Sequence, residues 1–199
     1  MTLRPRDRLI ESAIELVREQ GVHAAGLATL LERSHASRNS LYQHFPSGKS
    51  ELVEVATKTA GARLVAVTDK ITGSGTAEQW IAALIGWWQR TLERSAFSTG
   101  CPIVGAALAE SEPRVQAAAG TVLTEWTDRL ANALCDKGLP AEDARSLAGF
   151  VISALEGAII QSRALKSTRP LDDAQVHLTA LLRSAVPGAR GLGPSPTHG

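Results

Sequence analysis

The chain has 199 residues, a formal net charge of +1, 44% hydrophobic residues and 21% charged ones. That length suits one or two domains with a real hydrophobic core, and that composition excludes a wholly disordered chain. A charge so near zero gives no global basic field, so any nucleic-acid partner must be met by local charge.

Alanine (31) and leucine (24) outnumber valine (12) and isoleucine (9), which favours helix over strand and predicts an all-α fold. Cys101 and Cys135 have no metal or redox spacing and are too few for a secreted disulfide framework, so a cytoplasmic setting is expected. The most apolar run, from Leu147 onward, meets Glu156 and then Arg163, so no membrane partner is expected. The N-terminus is charged, unlike a signal peptide. His23, His35, His44, His177 and His198 are scattered without metal-ligand spacing, and neither metal nor cofactor is expected.

In chain order, the first helix opens near Pro5 and carries Ile10, Ala13, Ile14 and Val17 on one stripe. Gly21 is placed to end it at a positive φ, with Val22 as the accompanying apolar contact. A short helix follows over residues 27–33, with Ala25 standing where a capping hydroxyl would be stronger. After a turn at Ser34, His35 and Ala36, a third helix starts with Ser37 as N-cap and runs to about residue 44. His35 at the turn implies a positive φ on a non-glycine residue. Phe45-Pro46-Ser47-Gly48 breaks the chain, and long helices are predicted over residues 49–71 and 76–94. A short helix ending near residue 110 is followed by helices over 113–137, 141–166 and 171–186, about nine in all. The last thirteen residues, rich in proline and glycine, read as a flexible tail.

The second and third helices have the dimensions of a helix-turn-helix, which alone is weak evidence. The chemistry of residues 33–50 strengthens it. That window holds Arg33, Arg38 and Lys49 and no acid. Its third helix offers Ser37, Arg38, Asn39, Ser40, Tyr42, Gln43 and His44, nearly all hydrogen-bonding side chains, with Leu41 and Phe45 as apolar anchors. Such a face suits phosphates and base edges.

Residues 10–53, and above all Ser40-Leu41-Tyr42-Gln43-His44-Phe45-Pro46 followed by Lys49, resemble the TetR family of bacterial transcription regulators. Gly48 before Lys49, Gly100-Cys101-Pro102 and Leu155-Glu156-Gly157 resemble its LmrA/YxaF-type branch. The resemblance implies a helix-turn-helix domain over residues 1–48, an effector-binding and dimerisation domain over 49–186, and the tail over 187–199. It further implies a homodimeric repressor of a palindromic double-stranded DNA operator, released by a small hydrophobic or aromatic effector. Tyr42 and Lys49 would touch phosphates, helped by Ser37 and Ser40. Arg38, Asn39, Gln43 and His44 would face base edges, and Arg4 and Arg6 are candidates for an adjacent minor groove.

The family places an effector cavity among the helices that carry all four tryptophans, and Trp80, Trp87, Trp126 and then Phe150 are its candidate walls. Glu156 interrupts an apolar face, and three uses are open to it: an effector contact, a pair with Arg163, or a cap on a neighbouring helix. The family's dimer interface lies on the last two helices, where Leu147, Val151, Ala154, Leu155, Ala158, Leu171, Ala174, Leu178, Leu181 and Ala185 fit an apolar face. The same periodicity suits intramolecular core equally well. An enzyme is not expected: no nucleophile elbow, glycine-rich phosphate loop or metal cluster is present in the sequence.

Overall fold

The computed structural model describes residues 3–186, so the expected tail over 187–199 lies outside the described residues. Among those described, every regular element is an α-helix: α1 (Pro5–Ala24), α2 (Leu27–Ser34), α3 (Arg38–His44), α4 (Lys49–Thr72), α5 (Ala77–Arg94), α6 (Pro102–Ala107), α7 (Pro113–Asp136), α8 (Ala141–Leu165) and α9 (Arg169–Ala185).

Local chemistry sets most of these boundaries. Pro5 opens α1, and Gly21, at φ 79°, interrupts it before a last turn that buries Val22. The α2 N-cap is Gly26, not Ala25, whose methyl is wholly buried instead. His35 adopts φ 49°, ψ 41°; its N–H bonds the Glu32 carbonyl at 3.1 Å, and the Ala36 N–H bonds that of Leu31 at 3.1 Å. This paired closure satisfies carbonyls that a helix end otherwise orphans. The Ser37 Oγ accepts the Ser40 N–H at 3.1 Å and starts α3. Thr76 and Gln79 form a reciprocal capping box on α5. α6 stops at Ala107, short of the expected residue 110, because tight turns at Ala109 and Glu112 take over.

α4 and α7 pack side by side at the centre, α8 covers α7, and α9 closes against α5 and α8. Trp126 lies wholly inside, its indole N–H donating to the Thr68 hydroxyl at 2.8 Å. Burying side chains of this size contributes roughly 1.5–3 kcal/mol each, far more than any surface ion pair.

α1 joins the helix-turn-helix to the rest. Arg8 donates to the Ser34 carbonyl at 3.0 Å, and the Arg33 guanidinium grips the Glu19 carboxylate through two bonds of 2.8 and 2.9 Å. On its other side, α1 exchanges bonds with the segment before α6: the Gly100 N–H donates to the Arg18 carbonyl at 2.9 Å, and the Arg18 Nε donates to the Gly100 carbonyl at 3.2 Å. α6 can lie this close because Gly105 has no side chain; a Cβ there would meet Val17 at 3.2 Å. Movement at α6 therefore reaches α1 directly.

Candidate nucleic-acid interface and ligand cavities

Leu41 and Phe45, four residues apart, are both buried and fix one face of α3 to the core. Rotation about the helix then leaves the opposite face outward. Ser37, Arg38, Asn39, Tyr42 and Gln43 are exposed, while Ser40, His44 and Lys49 are half-buried. Among the described residues, the side chains of Arg38, Asn39, Tyr42 and Gln43 make no hydrogen bond, so their donors and acceptors are free for an outside partner. All eight expected residues thus lie on or beside one short helix.

Two details depart from the simple expectation. The Lys49 ammonium donates to the Val22 carbonyl at 3.1 Å, tying the first turn of α4 to the end of α1. It keeps two further N–H donors for a phosphate. The basic N-terminal residues are exposed but engaged within the subunit: Arg4 pairs with Asp7 at 3.1 Å, and the Arg6 guanidinium stacks over the Phe45 ring at 5.4 Å.

The aromatic candidates separate. Trp87 lines a cavity of about 230 Å³ bounded by α1, α4, α5 and the start of α6, with Ile14, Leu64, Trp88 and Cys101 among its walls. Trp87 and Trp88 meet edge to face, centroids 4.8 Å apart. Trp88 is the residue that sequence reasoning missed; it is 2% exposed, and its indole N–H is buried without an acceptor. Trp80 lies apart from that cavity. Its N–H donates to the Ser74 carbonyl at 2.6 Å and Lys137 sits over its ring. Trp126 lines neither this cavity nor the larger one described next, because its N–H is committed to Thr68 within the core. Phe150 is 56% exposed on the outer face of α8, which removes it from the cavity walls.

A larger cavity, about 610 Å³, lies between the end of α1, α6 and α8. Glu156 and Cys101 contribute to its lining, with Val104, Leu108 and Ile159 as apolar walls. Burial pushes the Glu156 carboxyl up to about 7. The Cys101 thiol, itself pushed up by burial, lies close enough to perturb it, yet neither carboxyl oxygen has a partner in hydrogen-bond geometry. Of the three uses open to Glu156, neither the pair with Arg163 nor a helix cap is formed: both carboxyl oxygens lack a partner, and the Arg163 guanidinium donates to the Glu19 carbonyl.

The dimer candidates also divide. Val151, Leu155, Ala158, Leu171 and Leu178 are buried within their own subunit and have no surface left for a partner. Leu147, Ala154 and Ala174 are half-buried, and Leu181 and Ala185 are exposed. The apolar surface that α8 and α9 leave open is instead Phe150, Ile160, Leu165, Val176 and Leu181. Among the described residues no cluster could hold a metal ion, and no helix is long and apolar enough to cross a membrane.

Residues 9–56 match the family of bacterial regulatory proteins named for TetR, and residues 77–177 match the C-terminal domain of LmrA/YxaF-like transcriptional regulators. An HTH-type transcriptional regulator of Mycobacterium tuberculosis is 32% identical over 190 residues, covering 92% of this chain and 96% of that protein. The HTH-type regulator YxaF of Bacillus subtilis is 29% identical over 171 residues, covering 83% and 88%. A TetR transcriptional regulator from Legionella pneumophila shares the fold, with a TM-score of 0.80 at 18% identity over 91% of this chain and 98% of that one. These relatives are transcriptional regulators and not enzymes. With its exposed helix-turn-helix and all-helical body, the chain belongs to the TetR family of DNA-binding transcriptional regulators, in the LmrA/YxaF-like branch.

Proposed function

We propose that this regulator is a homodimeric repressor that binds a palindromic operator and is released by a small hydrophobic or aromatic effector. The observation that carries the reading is the outward face of α3: Arg38, Asn39, Tyr42 and Gln43 stand exposed on a helix whose other face is anchored by Leu41 and Phe45. Arg38 and Asn39 have the donor patterns that read guanine and adenine edges, respectively. Tyr42, Lys49, Ser37 and Ser40 hold phosphates, and Gln43 and His44 extend the base-reading surface.

Two copies joined through the open apolar surface of α8 and α9 would present two such helices to successive major grooves, roughly 34 Å apart. Phe150, Ile160, Val176 and Leu181 support this face as the seam. A cytoplasmic location follows from the DNA partner. The pocket beside Trp87 and Trp88 supplies an aromatic wall and one free indole donor for an effector. Because α1 contacts both that pocket and α2, an occupied pocket favours a dimer whose reading heads are misplaced. Effector and operator then weaken each other by a common factor, typically 5- to 150-fold.

A gel-shift with the DNA flanking the protein's own gene tests the reading. Retarded DNA that a small aromatic molecule releases is the expected result; no retardation at any concentration of dimer contradicts it. A helical module that binds only other proteins is disfavoured by the acid-free window from Arg33 to Ser50.

A further inference from the structure

The larger cavity holds a feature that neither packing nor DNA binding explains. Glu156 is 7% exposed, and both its carboxyl oxygens are buried without a partner. A carboxyl stranded in this way destabilises the fold that contains it, and a hydrophobic residue of similar size would pack there without the penalty. The cations around the same cavity are in a different state. Arg18 is bonded to the Gly100 carbonyl, the Thr99 hydroxyl and Glu15. Arg163 is bonded to the Glu19 carbonyl, and Lys166 to the Phe97 carbonyl. Glu19 is itself held by Arg33. Among these charged groups, the unmet demand is therefore for a donor that reaches Glu156. Apart from Gln20 and Cys101, neither of which meets Glu156 in hydrogen-bond geometry, the remaining lining, including Val17, Val104, Leu108, Ile159 and Ile160, is apolar. Its volume of about 610 Å³ falls in the range of small-molecule sites, whereas the 230 Å³ beside Trp87 falls below it.

We propose that the Glu156 cavity is a second ligand site, for a largely apolar molecule that carries a hydrogen-bond-donating head group, a primary amine above all. The ammonium of such a ligand meets the two free oxygens of Glu156, and its apolar body lies along Val104, Leu108 and Ile159.

The site is also placed to act on the reading head. Its wall includes residues 17–21 of α1, up to the break at Gly21. From that wall a short chain of contacts runs outward: Arg163 of α8 holds the Glu19 carbonyl, and the Glu19 carboxylate holds Arg33 of α2. A ligand that shifts α8 against α1 displaces α2, and with it the orientation of α3. This half of the proposal rests on the ligand-responsive reading given above; the binding half does not.

The test uses the full-length protein and 4-phenylbutylamine as probe, with 4-phenylbutan-1-ol and 4-phenylbutyrate as comparators of like skeleton. Calorimetric titration is expected to rank the amine tightest and the butyrate weakest, and Glu156→Gln is expected to weaken the amine at least about tenfold while the alcohol changes little. Equal binding of amine and butyrate to the unaltered protein, or an amine affinity indifferent to Glu156→Gln, overturns the site. Should the glutamine variant fail to fold, the ranking of the three probes on the unaltered protein still decides. Operator affinity measured with and without saturating amine then tests the transmission: a fall of five-fold or more supports it, and amine binding that leaves operator affinity unchanged overturns it. A protein that binds no operator even without the amine contradicts the repressor reading itself, a result separable from the calorimetry.

Discussion

The Tyr42 ring lies directly against Gly48: a Cβ placed on that glycine would sit 3.2 Å from ring Cε1 and 3.7 Å from the phenol oxygen. Gly48 adopts φ 75°, ψ −143°, a conformation that side-chain-bearing residues rarely enter. The turn between α3 and α4 therefore does two things at once: it aims Tyr42 outward and delivers Lys49 to the first turn of α4. Gly48→Ala is expected to destabilise the protein by about 1–3 kcal/mol through backbone strain and to lower operator affinity in parallel. A urea melt checks the first effect; a midpoint that does not move contradicts the strain.

Tyr42→Phe separates recognition from folding. Tyr42 is 47% exposed and its hydroxyl makes no bond among the described residues, so the variant should melt like the parent. Its operator affinity should fall about tenfold, the effect of one hydrogen bond to a charged phosphate. Lys49→Ala is expected to weaken binding similarly and to shallow the slope of log affinity against log salt by about 0.9. Unchanged affinity and slope for both variants would remove the phosphate roles.

Glu156 gives stability a pH dependence of definite sign. In the unfolded chain the carboxyl ionises at its ordinary value of 4.5, and burial raises that to about 7 in the fold. Between those values the folded state holds a proton that the unfolded state has lost, so stability falls as pH rises, by about 3 kcal/mol once both pKa values are passed. Cys101, just before α6, lies beside the carboxyl, while Arg18 of α1 and Arg163 and Lys166 at the end of α8 line the same cavity without pairing with it. Glu156→Gln isolates its contribution: the variant should lose this slope and be the more stable protein at pH 8. Parallel melting curves for parent and variant across pH 4–8 would contradict it.

Phe150→Lys and Ile160→Lys place a charge on α8 at positions 56% and 54% exposed in the single subunit, so each chain should fold. Light scattering is expected to find monomers, and operator binding should drop because two half-sites are no longer held together. Dimers that persist in both variants would move the seam elsewhere.

The contrast between these residues shows what the sequence can carry. Ser37, His35, Pro113 and the Thr76–Gln79 box act on backbone groups a few residues away, so helix ends near them were legible within a residue or so. The exposed face of α3 was legible for a related reason, since Leu41 and Phe45 leave the inward direction in no doubt. α8 differs because both its faces are apolar. Val151, Leu155, Ile159 and Ser162 point inward, while Phe150, Ser153, Ile160 and Ala164 point outward, and periodicity cannot rank one above the other. The tryptophans were ambiguous for another reason. Trp80 and Trp126 are settled by Ser74 and Thr68, and the second of those acceptors lies 58 positions away. No local pattern announces such a partner.

The outward face of α3 as a DNA reader is tested most directly by an anisotropy titration of labelled duplexes: a palindromic fragment from beside the protein's own gene, and the same bases scrambled. The expected result is saturation at two chains per half-site pair, at least 100-fold preference for the palindrome, and loss of that preference in Arg38→Ala. Equal affinity for both duplexes, or a preference that survives in Arg38→Ala, Asn39→Ala and Gln43→Ala alike, would contradict it.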